Sequence, residues 1–172
     1  MKNFEKGLGV PSQEALPKEI ERKFLIKSLP DNLEQYPHKE IRQGYLVVTE
    51  DGTEVRLRQK EEKYFQTIKS GGGKVRSELE IEITKEQFEV LWQATQGKRV
   101  GKTRYEIPCQ GGIIELDVYH DDLAGLSVAE VEFTNEEDSD KFVAPEWMAT
   151  EVTDDARYKN QNLALRGLPK EE

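Results

Sequence analysis

Cysteine, histidine and long apolar runs are all scarce in this 172-residue chain, and each scarcity closes off a class of protein. The single cysteine, Cys109, cannot form an intramolecular disulfide, so no covalent staple holds the fold. Two histidines, His38 and His120, are too few to build the usual zinc site of Cys and His ligands. Any metal must therefore sit among oxygens. The apolar runs are only a few residues long, short of a membrane span, and the first 18 residues set Glu5, Glu14 and lysines around Pro11 and Pro17 instead of a hydrophobic signal core. Basic residues are also outnumbered, 25 Lys and Arg against 34 Asp and Glu, for a net charge of -9. That balance argues against a nucleic-acid binder, which needs clustered cations to meet phosphates. The resulting expectation is a soluble, cytoplasmic protein with neither nucleic acid nor membrane as partner. Its oligomeric state is not legible.

What the chain does contain is charge, at 34% of residues, arranged with a period of two. Its length suits one domain able to bury roughly 68 to 70% of its unfolded surface. Residues 1–17, with Gly7, Gly9 and Pro11, read as an N-terminal extension, 18–166 as the domain, and 167–172 as a tail. A first strand is expected from Lys18 to Ile26, with Glu19, Glu21 and Lys23 on one face and Ile20, Phe24 and Ile26 largely on the other. Two carboxylates two residues apart on a strand stand roughly 6.5 to 7 Å apart at Cα, close enough to serve one metal centre or two neighbouring ones.

Further strands follow. Ile41–Thr49 ends at the hairpin signal Asp51-Gly52 and returns through Val55–Lys60, where Arg56, Arg58 and Lys60 oppose Val55 and Leu57. Tyr64–Lys69 is followed by the turn Gly71-Gly72-Gly73, which lacks the Lys-Ser/Thr ending of a phosphate loop. Val75–Ile83 sets Arg76, Glu78, Glu80 and Glu82 against Val75, Leu79, Ile81 and Ile83. Thr84 and Gln87 form a capping box for a helix to about Gln93. Strands resume at Lys102–Ile107, Ile114–Tyr119 and Ser127–Phe133, and a last helix is expected over Asp155–Leu165 with Asp154 as its cap. Trp92 reads as core, and Trp147 as packing that last helix against the sheet.

About eight hairpin-connected strands with two or three helices make a mainly β, antiparallel α+β fold. A solvated outer face would mix Thr, Ser and Gln with its lysines. Here nearly every strand repeats formal charges on one face, and Glu78-x-Glu80, Glu115-x-Asp117 and Glu130-x-Glu132 set like charges side by side, which costs free energy unless opposite charge intervenes. A sheet closed with that face inward resolves the conflict, because carboxylates can hold hard cations such as Mg²⁺ or Mn²⁺ while Arg and Lys hold a polyanion such as a phosphate chain. Cys109, with no histidine partner in sequence, reads as structural, and His38 and His120 as solvated loop residues.

These residues resemble the CYTH domains, or triphosphate tunnel metalloenzymes. The likeness rests on Glu19-Ile20-Glu21-Arg22-Lys23, Gln43-Gly44-Tyr45-Leu46, Val55-Arg56-Leu57-Arg58, Thr67-Ile68-Lys69, Arg76-x-Glu78-x-Glu80, Lys102-x-Arg104, Leu116-Asp117-Val118, Ala129-Glu130-Val131-Glu132 and Glu151-Val152-Thr153. It extends over about residues 18–166 and is nearest to the short bacterial tripolyphosphatases. The resemblance implies an eight-stranded, closed antiparallel β-tunnel with flanking helices that hydrolyses a linear triphosphate with Mg²⁺ or Mn²⁺. It implies Lys23, Arg56, Arg58, Lys69, Lys102 and Arg104 as the phosphate cradle. Glu19, Glu21, Glu78, Glu80, Asp117, Glu130 and Glu132 become candidate metal ligands, and Lys102, Arg104, Glu130 and Glu132 the candidates for chemistry. Glu82 continues the inward register outside the motif. Two alternatives stay open: a class IV adenylate cyclase, whose His-Phe pair ahead of the first motif is not found before Glu19, and a non-catalytic module that binds polyphosphate or nucleotide.

Overall fold

The computed structural model describes residues 20–70 and 77–170. The expected N-terminal extension, Glu19, Gly71-Gly72-Gly73, Val75 and Arg76 lie outside these residues. Nine strands follow in chain order: β1 (Ile20–Ile26), β2 (His38–Val48), β3 (Glu54–Lys60), β4 (Lys63–Ser70), β5 (Ser77–Ile83), β6 (Arg99–Cys109), β7 (Gly112–Tyr119), β8 (Ser127–Phe133) and β9 (Met148–Glu151). All pair antiparallel in the order β5-β4-β3-β2-β6-β7-β8-β1-β9.

The expectation of eight strands in a closed barrel is corrected on both counts. The ninth strand, β9, has four residues and no alternation to announce it, and it joins β1 through a register shift between Phe24 and Ile26. It thereby occupies the edge of β1 that closure would need for β5, so the sheet stays open. The sheet is nevertheless curled. Six strand spacings separate β4 from β1, roughly 28 Å if flat, well beyond the roughly 8–10 Å over which salt leaves a charge effective. Yet the charge of Lys69 on β4 acts on Glu21 on β1. The two wings of the sheet therefore approach each other across a trough.

Apolar side chains sort by face. On the convex side, Phe24, Ile114, Leu116, Val131 and Phe133 form one buried cluster, with Phe142 and Trp147 packed against it. A second convex cluster joins Leu57 and Tyr64 to Phe88 and Trp92 of helix α1 (Lys85–Trp92). Trp92 is core as expected, whereas Trp147 packs beside Phe24 and Met148 instead of on the last helix. The third cluster lies on the concave side at one end, where Leu163 meets Leu25, Val100, Tyr119 and Val128.

The helices follow their caps. Thr84 and Gln87 form the expected reciprocal capping box of α1. Asn135 caps a short helix the sequence did not announce, α2 (Glu136–Lys141), accepting from Asp138 N at 2.8 Å. The last helix is broken: Asp155, not Asp154, caps a 3₁₀ turn over Ala156–Tyr158, Lys159 is extended, and α3 covers Asn160–Arg166. Among the described residues no helix is long and apolar enough to cross a membrane.

Phe88, fully buried and packed 4.9 Å from Tyr64 and 5.0 Å from Trp92 between ring centroids, holds α1 to the sheet. Phe88→Ala is expected to cost about 3–5 kcal/mol, read as a lower urea midpoint with an unchanged slope.

Candidate active site: a charge-lined trough

Opposed residues of an antiparallel pair share a face, so the register alone assembles the site. On one wing Glu21 lies opposite Glu132, Lys23 opposite Glu130, Glu130 opposite Glu115, and Asp117 opposite Arg104. On the other, Arg58 opposes Gln43, Arg56 opposes both Tyr45 and Thr67, Lys69 opposes Glu54 and Glu78, and Thr67 opposes Glu80. The wings join where Ile41 on β2 faces Lys102 on β6. Every candidate within the described residues thus lies on the concave face. Glu19 is outside them.

The first wing is one continuous ion-pair chain. Asp117 has no exposed surface; its carboxylate accepts from Lys102 Nζ at 2.6 Å and from Arg104 Nε and Nη2 at 2.6 and 2.7 Å. Arg104 continues to Glu115 and, at 3.3 Å, to Glu130. Glu130 receives Lys23 at 2.9 Å, and Lys23 lies 3.7 Å from Glu21. Burial works against the charge of Asp117, but Lys102 and Arg104 overcome it and hold its pKa below the ordinary value. Burial likewise opposes ionised Glu130, and Lys23 and Lys102 draw its pKa down. Lys102 itself is pushed down by burial, with Asp117 acting the other way. Glu21 is pushed up by burial and by the neighbouring charge of Glu130.

The second wing is less satisfied. Lys69 meets Glu78 at 3.3 Å, and Thr67 donates to Glu80 at 2.7 Å. Arg56 is buried; among the described residues its carboxylate neighbours are Glu78 at 3.7 Å and Glu54 at 3.9 Å, and its side chain also bonds the Tyr45 hydroxyl. Among the described residues the buried Nε donors of Arg56 and Arg58 have no hydrogen-bond partner at all. A buried donor left unpaired costs about 1–3 kcal/mol, so two of them on one strand mark where an anion belongs.

For a metal the donor chemistry is suitable: Glu21, Glu130 and Glu132 are hard oxygen donors on adjacent strands, and burial, with the neighbouring charge of Glu130, raises the pKa of Glu21. No three acidic, His or Cys side chains converge into a closed cage among the described residues. Asp117 is occupied by its two cations. Glu78 and Glu80 engage Lys69 and Thr67 on the opposite wing.

Residues outside the expected set also reach the trough. Tyr45, 1% exposed, accepts from Gln43 Nε2 at 2.7 Å. Asn160 of α3 contacts Lys102 and Tyr119. Tyr45 and Gln43 belong to the Gln43-Gly44-Tyr45-Leu46 motif, but Asn160 carries no periodic signal because it follows the unannounced helix break. His120 is not merely solvated: its Nε2 lies 2.7 Å from Thr103 Oγ1 on the convex side. His38 is exposed and opens β2, with Nδ1 3.1 Å from Tyr36 O. Cys109 is partly buried, which raises its thiol pKa.

An open, curled antiparallel sheet with one apolar face and one ion-paired face is a scaffold for holding a small polyanion. The chain belongs to the CYTH domain family, whose profile matches residues 17–167. It is similar to the inorganic triphosphatase of Nitrosomonas europaea, with 50% identity over 150 residues covering 86% of this chain and 97% of that protein. The inorganic triphosphatase of Acetivibrio thermocellus is 35% identical over 153 residues, covering 85% and 92%. The crystal structure of an inorganic triphosphatase matches with a TM-score of 0.72 at 45% identity, covering 90% of this chain and 99% of that one.

Because the pKa of Asp117 is depressed, its stabilisation is complete above the ordinary aspartate value of about 3.9 and is lost as pH falls through the lower folded value. Asp117→Asn strands two buried cations and is expected to cost about 3–5 kcal/mol at pH 7. Urea unfolding from pH 7 down to pH 2 should show a smaller acid-induced loss in the variant than in the wild type.

Proposed function

We propose that this chain hydrolyses a linear triphosphate, inorganic tripolyphosphate above all, within the trough. The observation that carries the reading is the pair of buried Nε donors on Arg56 and Arg58 that have no hydrogen-bond partner among the described residues. Guanidinium groups suit phosphoryl oxygens, and the Nε of each of these two is already buried on the concave face. The similarity to two inorganic triphosphatases, at 50% and 35% identity, supports the same substrate.

Arg56, Arg58 and Lys69 would bind the phosphate chain along the β3–β4 wing, neutralising charge as it develops on the non-bridging oxygens. Lys23, Lys102 and Arg104 would hold the attacked or leaving phosphoryl group from the other wing. Asp117 keeps Lys102 and Arg104 aimed, and its role here is to orient those cations. Glu21, Glu130 and Glu132, joined by Glu19, would hold Mg²⁺ or Mn²⁺, which when bound supplies charge neutralisation and water activation. Glu78 and Glu80 would steady Lys69 and Thr67. The Leu163 cluster excludes water from one end. Residues 18–166 are the working unit, acting in the cytoplasm without nucleic-acid or membrane partner.

Phosphate release from tripolyphosphate, with each metal and with chelator, tests this. Activity should need the metal, and Arg56→Ala should lower kcat/KM by about 10²-fold or more. Full activity in a Glu19→Ala, Glu21→Ala double variant would overturn the assignment of the acidic wall.

A further inference from the structure

The concave face receives a polar side chain from outside the sheet. Asn160, the first residue of α3, places its Oδ1 2.6 Å from Tyr119 Oη and 3.4 Å from Lys102 Nζ. The Lys102 ammonium can only donate, so the amide oxygen faces it, and the Tyr119 hydroxyl donates to that same oxygen. The Tyr119 hydroxyl, whose ring is buried beneath Lys102 with the ammonium 5.4 Å from its centroid, pins that oxygen. Leu163, three residues on and 1% exposed, anchors the same helix in the concave apolar cluster. The position of Asn160 is therefore fixed from two sides.

Lys102 is 2% exposed and is bounded by Asp117, Asn160 and the Tyr119 ring. An ammonium has three N–H donors. Asp117 takes one and Asn160 another, which leaves one for a ligand in the trough. With Asp117 alone, the flexible stem could swing the ammonium about a single contact. A second acceptor at a fixed angle removes that freedom.

We propose that Asn160 is a positioning residue: through its side-chain oxygen, locked by Tyr119, it orients the third N–H of Lys102 toward the reacting phosphoryl group. This makes α3 part of the active site and not only a packing element. The inference rests on the hydrolytic reading above.

The test measures tripolyphosphate turnover by wild type, Asn160→Asp, Asn160→Leu, Tyr119→Phe and the Asn160→Leu, Tyr119→Phe double variant, each with its thermal midpoint. Asn160→Leu removes the acceptor and should lower kcat about tenfold with KM within about twofold. Asn160→Asp keeps an oxygen at the same place and should restore kcat to within about threefold of wild type. Tyr119→Phe should lower kcat by a smaller factor and add nothing in the Asn160→Leu background, since the two act through one contact. A merely structural Asn160 would instead show kcat following the thermal midpoint, no rescue by Asp and independent losses in the double variant; any of these overturns the proposal. If Asn160→Leu does not fold, an unchanged kcat in Tyr119→Phe overturns it alone. A wild type that releases no phosphate refutes the hydrolytic reading itself, and the positioning role falls with it.

Discussion

The buried carboxylate of Asp117 is the constraint on which the concave face depends. Burying three charges together is expensive, and an apolar replacement of the whole group could be equally stable. What an apolar group could not do is direct two cations. The Arg104 guanidinium is held at both Nε and Nη2 by the same carboxylate, a two-point contact that fixes its plane. Lys102 donates to Oδ2, the oxygen it shares with Arg104 Nη2, and the chain of pairs runs on through Glu130 and Lys23 to Glu21 across β6, β7, β8 and β1. Removing any link exposes its neighbours to an unbalanced charge in a site of low dielectric. The order of the wing is thus collective.

That arrangement is sustainable because the other face does the folding. Lys23 and Phe24 are adjacent in sequence and both are buried, but on opposite sides: one enters the ion-pair chain, the other the convex apolar cluster. The same division separates Asp117 from Leu116 and Glu130 from Val131. Burial of the convex aliphatic and aromatic groups supplies the hydrophobic free energy, so the concave face can keep groups that do not favour folding. At one end the division breaks, where Val100, Tyr119 and Val128 turn the concave face apolar to receive Leu163. There the trough stops being a polar surface and becomes a closed end.

The period-two alternation made most of this legible. It assigned the strands, the concave set and, through the turn signals, the neighbours in the sheet, because each of those is a local property of a strand. Thr84 and Gln87 announced α1 for the same reason. What escaped was decided by distant packing. β9 is four residues with no alternation, stabilised by an edge of β1 that no local pattern could reveal, and its presence is what leaves the sheet open. Asn160 escaped because Lys159 is extended and breaks a stretch that otherwise reads as continuous helix. Asp117 was recognised as functional, and the geometry adds that its carboxylate accepts from both Lys102 and Arg104.

The two wings differ in how far their charges are balanced, and that difference orients a ligand. On the β6–β7–β8–β1 wing each of Lys23, Lys102 and Arg104 has a close carboxylate, and Glu21 adds a further acid near enough to Glu130 for that charge to raise its pKa. Like charges so placed repel unless a cation comes between them. On the β3–β4 wing the imbalance is reversed, since the carboxylates paired with Arg56 lie 3.7 and 3.9 Å away and the Nε donors of Arg56 and Arg58 have no hydrogen-bond partner among the described residues. A chain with a net charge of -9 can therefore attract a polyanion without a basic surface. The anion is favoured along one wall and a cation along the other, and because the sheet curls enough for Lys69 to act on Glu21, the two can meet across the trough. Closing the sheet by hydrogen bonds is not required for that meeting. The curl alone brings the deficit of each wall within reach of the ligand that fills the other.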